Sequence, residues 1–249
     1  METLVKQTRE LGTSAGVLLP RSWLNKQVVV TLFYPSLKDI SKTVFQILTD
    51  RGFNEDIKGI CLYGSYARGE FDSGSDIDVL VLTKSLSKFI KVDNYEILLI
   101  TEENFSRNLL KSLHYAAALR EAKVILNREL IEKYASSKIK FNFKENLNEI
   151  GRIIKINKES VEDYLENGQA VPDGIVYSVV LRLRELYLIK SILKNKDYNK
   201  KEFLNFVGEE DYFAYLRIKR EESELDKNSP DKVLKLIELS KKWLKELKS

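Results

Sequence analysis

LYGSYARGEFDSGSDIDVLVL, residues 62–82, sets the terms for the rest of the chain. It places three glycines, three serines, one arginine and four carboxylates between two apolar runs, in a protein of 249 residues with only 11 glycines in all. Ile57 to Tyr63 reads as a strand, and Gly64-Ser65 then turns into the start of a short helix over Ser65 to Gly69. Ile77 to Leu82 is apolar and largely β-branched, the texture of a buried strand. Glycine allows backbone to approach a ligand closely, and exposed N–H groups at a helix start favour an anion such as phosphate. Ser65 adds a hydroxyl donor. Asp76 and Asp78 lie two positions apart on the following strand, so their side chains share one face. Two carboxylates held together repel unless a cation lies between them. Magnesium suits that place, because it takes oxygen ligands and also binds substrate phosphates. The stretch reads as a phosphate cradle beside a metal site. Ser73-Gly74-Ser75 forms the turn that positions Asp76, and Tyr66 is a core residue or a base-stacking ring, with packing the plainer role.

Working outward, LKDISKTVFQILTDRGF is an amphipathic helix with Ile40, Val44, Ile47 and Leu48 on one face and Gly52 at its end. YEILLIT, residues 95–101, is another strand, and Thr101 caps a helix that opens with acids and continues, with breaks, towards Tyr134. From about residue 140 the apolar spacing is helical throughout, with breakers at Gly168, Pro172-Asp173-Gly174, Asn195 to Asn199, Gly208 and Asn228-Ser229-Pro230. Four or five helices in a bundle follow. Near the N-terminus, Val17-Leu18-Leu19 and Val28 to Leu32 read as two strands joined by a turn over Pro20 to Lys26. The expected fold is α+β: a mixed sheet flanked by helices, a short N-terminal β-hairpin and a C-terminal helical bundle. The expected divisions are 1–35, 36–135 and 136–249.

Composition narrows the chemistry. Net charge is +4, from 41 basic and 37 acidic residues that are intermixed, which permits nucleic-acid contact without arguing for it. His114 is the single histidine, so a mechanism needing two from one chain is excluded. Cys61 is the single cysteine, so there is no disulfide framework and no cysteine-based zinc site. No apolar run approaches the roughly 18–20 residues of a membrane span. METLVKQTRELGTSAG lacks the apolar core of a signal peptide. A cytoplasmic protein without membrane contact is the expectation, with any catalysis resting on carboxylates or a metal.

Gly64-Ser65, ten intervening residues and then Asp76-Ile77-Asp78 resembles the signature of the nucleotidyltransferase superfamily typified by DNA polymerase β. GSYARGEFDSGSDIDVLVL is most similar to its minimal nucleotidyltransferase branch, which includes antitoxins that adenylylate partner toxins. Kanamycin-type nucleotidyltransferases are similar over the same stretch. The resemblance covers roughly residues 38 to 130. It implies two magnesium ions held by Asp76, Asp78 and a third carboxylate on a following strand. Glu96 is the candidate for that third place and Asp93 the fallback; the family more often has Asp there. It implies that Gly64 and Ser65 hold the β- and γ-phosphates of a nucleoside triphosphate such as ATP. Ser75 is assigned to the nucleotide as well. Arg68 has two readings, a phosphate partner or a salt bridge with Glu70 or Asp72. The implied reaction transfers a nucleoside monophosphate, AMP from ATP, to a hydroxyl of a protein or small molecule.

Two further resemblances concern the flanks. SAGVLLPRSWLNKQVVVTL is similar to the swapped hairpin of AbrB-type transcription factors, on Ser14, Gly16, Val17, Leu19, Pro20, Trp23, Leu24 and Val28 to Val30. That likeness implies a homodimer, with Arg9, Arg21 and Lys26 near DNA phosphates; the other reading is a hairpin docked on the main domain. It motivates the alternative function, a DNA-binding regulator or toxin-neutralising partner whose nucleotidyltransferase fold only binds nucleotide. The C-terminal helices resemble the all-α domain that accompanies this enzyme fold and helps bind the acceptor. Arg182, Arg184 and Lys190 are candidates for an acceptor pocket, or for a solvated, salt-bridged face. HEPN-type RNases carry Arg, four to six residues, then His. Arg107 and His114 match once, on the helix after Glu96 rather than in the bundle, and His114 reads as a packed helix residue.

Overall fold

Val79, Leu80, Val81 and Leu82 are all at most 1% exposed, as a strand covered on both faces must be. They belong to β4 (Ile77–Thr83), the middle strand of a five-stranded mixed sheet. The computed structural model describes residues 4–6, 8–135 and 140–249. The chain forms two compact units, Met1–Gly52 and Phe53–Ser249. The expected boundary at residue 136 lies outside the described residues.

In the first unit, β1 (Arg9–Leu11) pairs antiparallel with β2 (Ser14–Gly16). Gly12 supplies the left-handed φ, +60°, that closes so tight a turn. A hairpin is therefore present, but not where the sequence pattern placed it. Residues 17–19 and 28–32 join no ladder among the described residues, and Val29 is 93% exposed. Between them Pro20 leads into a single 3-10 turn, Arg21–Trp23. β-branched composition favours a strand only where a neighbour completes the ladder. The unit ends with α1 (Leu37–Thr49), which buries Ile40, Val44, Ile47 and Leu48 as the periodicity requires. Its start is a reciprocal capping box: Asp39 N–H donates to the Ser36 hydroxyl, and Ser36 N–H donates to the Asp39 carboxylate.

In the second unit, β3 (Ile57–Tyr63) runs antiparallel to β4, and β6 (Tyr95–Thr101) runs parallel to β4. The edges are β5 (Lys88–Val92), beside β6, and β7 (Lys123–Leu126), beside β3, both antiparallel. Neither edge strand was foreseen. KFIKV has lysines at its first and fourth positions, which breaks strict alternation, and KVIL is too short for a period, so each becomes a strand through its neighbour's open edge. Between strands lie α2 (Gly64–Arg68), α3 (Glu102–Asn108) and α4 (Leu113–Glu121), and α5 (Arg128–Ala135) follows β7. One face of the sheet, with Cys61, Leu80, Leu82 and Ile100, shares a core with Phe105 of α3, Leu119 of α4 and Ile131 of α5.

Five helices follow among the described residues: α6 (Lys144–Glu166), α7 (Asp173–Leu193), α8 (Lys200–Val207), α9 (Glu209–Lys219) and α10 (Pro230–Lys248). Their core includes Ile150, Val180, Leu183, Phe203 and Trp243. The expected breakers fall at or beside the helix ends, and Pro230 opens α10 where its missing N–H costs nothing. Asp173, fully buried at the start of α7, accepts two hydrogen bonds from Arg217 of α9, at 2.6 and 2.8 Å. It also accepts from Leu225 N–H and the Asn228 side chain. This knot fixes α9 and the segment after it against α7.

Candidate active site

β3 delivers the chain to Gly64, whose φ of +74° a side chain would strain. Space forbids one as well. A Cβ at Gly64 would lie 2.2 Å from Asp78 Oδ2, so glycine is required by conformation and by the carboxylate pressed against it. Gly64 N–H donates to Glu121 Oε2 of α4 at 3.0 Å. Arg68 closes the turn: its Nε donates to Glu70 at 2.7 Å and its Nη1 to Glu121 at 2.5 Å. The helix ends at Gly69, also left-handed.

The second turn forms as expected. Asp72 accepts from Gly74 N–H at 3.0 Å and from the Ser75 hydroxyl at 3.1 Å, and its own N–H donates to Ser75 Oγ at 2.9 Å. The chain then enters β4. Asp76 stands just before the strand and Asp78 is its second residue. In register, Asp78 faces Tyr63 on β3 and Glu96 on β6. Asp78 and Glu96 therefore sit side by side on one sheet face, the face that carries Leu80 and Leu82 deeper in the core. Asp93 lies instead in the turn between β5 and β6, exposed and with φ of +51°.

Burial pushes the Asp78 carboxyl up to about 7; the positive charge of Lys219 opposes this, Glu96 and Asp76 add to it, and Arg184 opposes it. Burial likewise raises the neighbouring Tyr63 phenol, with the Asp78 charge adding to the effect. Tyr63 Oη lies 3.1 Å from His114 Nε2, and burial keeps that imidazole below its ordinary pKa. His114 is thus a helix residue that bonds Tyr63 yet remains exposed, not the packed residue expected. Arg107 faces solvent and pairs with Glu103, so the Arg–His pattern is not assembled.

The three candidate acids fit a hard divalent cation by chemistry: oxygen donors only, neighbouring positions, and a half-buried carboxyl whose charge a cation would relieve. They are not preassembled as a cage. Among the described residues no group of three His, Cys, Asp or Glu side chains converges as a metal site. Glu96 is instead held by Lys91 Nζ at 2.8 Å.

A cleft opens over the two turns. Ser65, Arg68, Gly74 and Ser75 line it from the motif. Arg184 of α7, Lys200 of α8, and Lys219 and Arg220 at the end of α9 line it from the helices. Arg220 binds Asp72 at 3.1 Å and packs over Gly74, where a Cβ would meet its Nε at 3.0 Å. Lys200 donates to the Glu70 carbonyl at 3.4 Å. Tyr198 spans the middle, with the Arg68 guanidinium 4.9 Å and the Arg184 guanidinium 5.6 Å from its ring centre. Of the three bundle cations weighed from the sequence, only Arg184 faces this cleft. Arg182 pairs with Glu185, and Lys190 with Glu246. Glu121, Lys200, Lys219 and Arg220 carried no signal in the sequence, since each stands in an ordinary mixed-charge helix.

The model of the family described as "Nucleotidyltransferase domain" matches residues 44–199, more than half of the chain. A protein of Methanocaldococcus jannaschii that carries the provisional name protein adenylyltransferase is 40% identical over 50 residues. That match covers 20% of this chain and 46% of the relative, so the chain spans about half of the curated relative's length. A nucleotidyltransferase-like protein from Exiguobacterium sibiricum 255-15 is 12% identical, with 83% of this chain and 75% of that one covered and a TM-score of 0.35. The family match contains the Gly64-Ser65 turn, Asp76, Asp78 and Glu96, and the chain belongs to the nucleotidyltransferase domain family.

Proposed function

We propose that the chain transfers a nucleoside monophosphate, AMP from ATP, to a hydroxyl, with a protein side chain as the first choice of acceptor and a small molecule as the second. The observation that carries this reading is the juxtaposition of Gly64 with Asp78: a turn that only glycine can make, packed against a half-buried acid, with Asp76 and Glu96 beside it. The family match supports nucleotidyl transfer in general. The name of the M. jannaschii relative supports a protein acceptor.

In this reading the acceptor oxygen attacks the α-phosphorus, the bond from that phosphorus to the β-bridging oxygen breaks, and pyrophosphate leaves. Ser65 and the turn around it orient the β- and γ-phosphates. Asp76 and Asp78 would hold magnesium, which when bound would neutralise the phosphates and lower the acceptor hydroxyl's pKa. Glu96, released from Lys91, takes the acceptor proton.

The test is titration calorimetry of ATP with magnesium on wild type and on Asp76→Ala/Asp78→Ala, alongside transfer of label from α-labelled ATP. Magnesium-dependent binding and labelling that both disappear in the variant are expected. Equal labelling by the two proteins sinks the assignment.

A further inference from the structure

One row of side chains crosses four of the five strands. Lys91 on β5 stands opposite Glu96 on β6, Glu96 opposite Asp78 on β4, and Asp78 opposite Tyr63 on β3. Residues paired across a ladder share a face, so a cation, two acids and a phenol stand side by side. Lys91 Nζ donates to Glu96 Oε1 at 2.8 Å, and among the described residues Lys91 is the one ion-pair partner of Glu96. The carboxylates that act on the Lys91 charge are Glu96, then Asp76, then Glu221. Asp78 is acted on instead by Lys219 and Arg184.

This pair is poorly placed to hold the fold together. β5 is an edge strand, and the Lys91 side chain is 58% exposed. An exposed ion pair adds little stability, because water screens it and two long side chains lose freedom. A lysine on an edge strand also deters pairing with another chain. Lys88, on the other face of β5, serves that purpose as well, but its ladder partner is Leu99 and not an acid. What Lys91 alone changes is the charge at Glu96. A divalent ion that took Glu96 as a ligand would meet the ammonium that already holds it, and like charges at that range repel. The flexible arm of a glutamate lets the carboxylate leave Lys91 and turn towards Asp78 without any shift of the strand.

We propose that Lys91 is a tethered cation that competes with the second of two divalent ions for Glu96, so that one ion binds readily through Asp76 and Asp78 and a second enters only by displacing the Lys91 ammonium. Lys91 acts through Glu96 and is therefore a positioning residue. It ties the release of the proton-accepting carboxylate to the loading of the site. The inference rests on the reading of Asp76, Asp78 and Glu96 as a magnesium site.

The experiment titrates the full-length chain with Mn2+, a spin-active substitute for Mg2+, at pH 8 without nucleotide, and counts free ion by electron paramagnetic resonance. Wild type is expected to bind one Mn2+ tightly and a second more weakly. Lys91→Met should tighten the second ion about tenfold, the scale of one unit charge removed at hydrogen-bond distance in solvent, and the first by about threefold at most. Lys91→Arg keeps the charge and should follow wild type. Lys88→Met controls for a general loss of charge from β5. In a Glu96→Gln background, Lys91→Met should do no more than Lys88→Met does. Circular dichroism melts confirm that each variant is folded. Two equal ions on wild type, a Lys91→Met effect no larger than that of Lys88→Met, or one that survives Glu96→Gln overturns the role of Lys91 and leaves the metal site standing. No ion bound by either wild type or Lys91→Met overturns the metal site, and the proposal with it.

Discussion

Asp78 is a carboxylate kept in a place that disfavours its charge. With its carboxyl pushed up to about 7, it gains a proton on the way down through neutral pH, whereas in the unfolded chain it stays ionised to about pH 4. A raised carboxyl makes the folded state favour the protonated form, so the metal-free protein loses stability as pH rises from about 4 through 7. Asp78→Asn should therefore raise the melting temperature at pH 8, by a ΔΔG of roughly 2–4 kcal/mol, and change little at pH 4. Thermal melts of both proteins at the two pH values check this. The same proton competes with a cation, so magnesium affinity measured by calorimetry should fall as pH drops below about 7. Gly64 shows the complementary constraint. Gly64→Ala must strain φ at +74° and move the Asp78 carboxylate, so a loss of about 1–3 kcal/mol in chemical denaturation, together with lost ATP binding, is expected. A Gly64→Ala protein as stable as wild type and binding ATP normally would show that the close approach is not needed.

At the scale of elements, the site is a product of strand register. The parallel pairing of β4 with β6 brings Glu96 opposite Asp78, and the antiparallel pairing of β3 with β4 brings Tyr63 there from the other side. A slip of one residue would turn each of these side chains to the other face. What holds β6 in place includes the start of α3, where the Thr101 hydroxyl accepts from Asn104 N–H at 3.2 Å. Thr101→Ala removes that cap and should cost about 1 kcal/mol in urea denaturation, without touching the acids. A shift of 3 kcal/mol or more would mean that Thr101 does something besides capping.

For the whole molecule, the relation of the helices to the motif matters most, and Asp173 controls part of it. The Arg217 hydrogen bonds first, then those from Asn228 and Leu225 N–H, hold its carboxyl down at about 2 against its burial. A lowered folded-state value gives stability that is complete above about pH 4 and is lost as pH falls towards 2, with a size of about 2 kcal/mol. Asp173→Ala leaves Arg217 without its partner and should destabilise by about 3–5 kcal/mol at pH 7. Melts from pH 2 to 7 check both effects.

Much of this was legible from sequence order alone. Gly64, Ser65, Asp76 and Asp78 are close in the chain, and a turn between two strands brings them together by local geometry. The strand at 95–101, helix α1 and the long C-terminal helices α6, α7 and α10 carried periods long enough to read. The N-terminal hairpin and the edge strands β5 and β7 were misplaced or missed, because a short segment becomes a strand only when a neighbour offers an open edge. Glu121, more than 50 residues from Gly64, and the cations of α7, α8 and α9 reach the cleft only through packing. Charges that look solvated on a helix wheel become a site when another element covers them. The sequence by itself determined the chemistry of the motif, since side-chain spacing along one strand and one turn is a local property. Only the tertiary structure decided what faces it, because Arg184 and Lys219 are placed by the burial of the apolar faces of α7 and α9 and not by any pattern in their own neighbourhood.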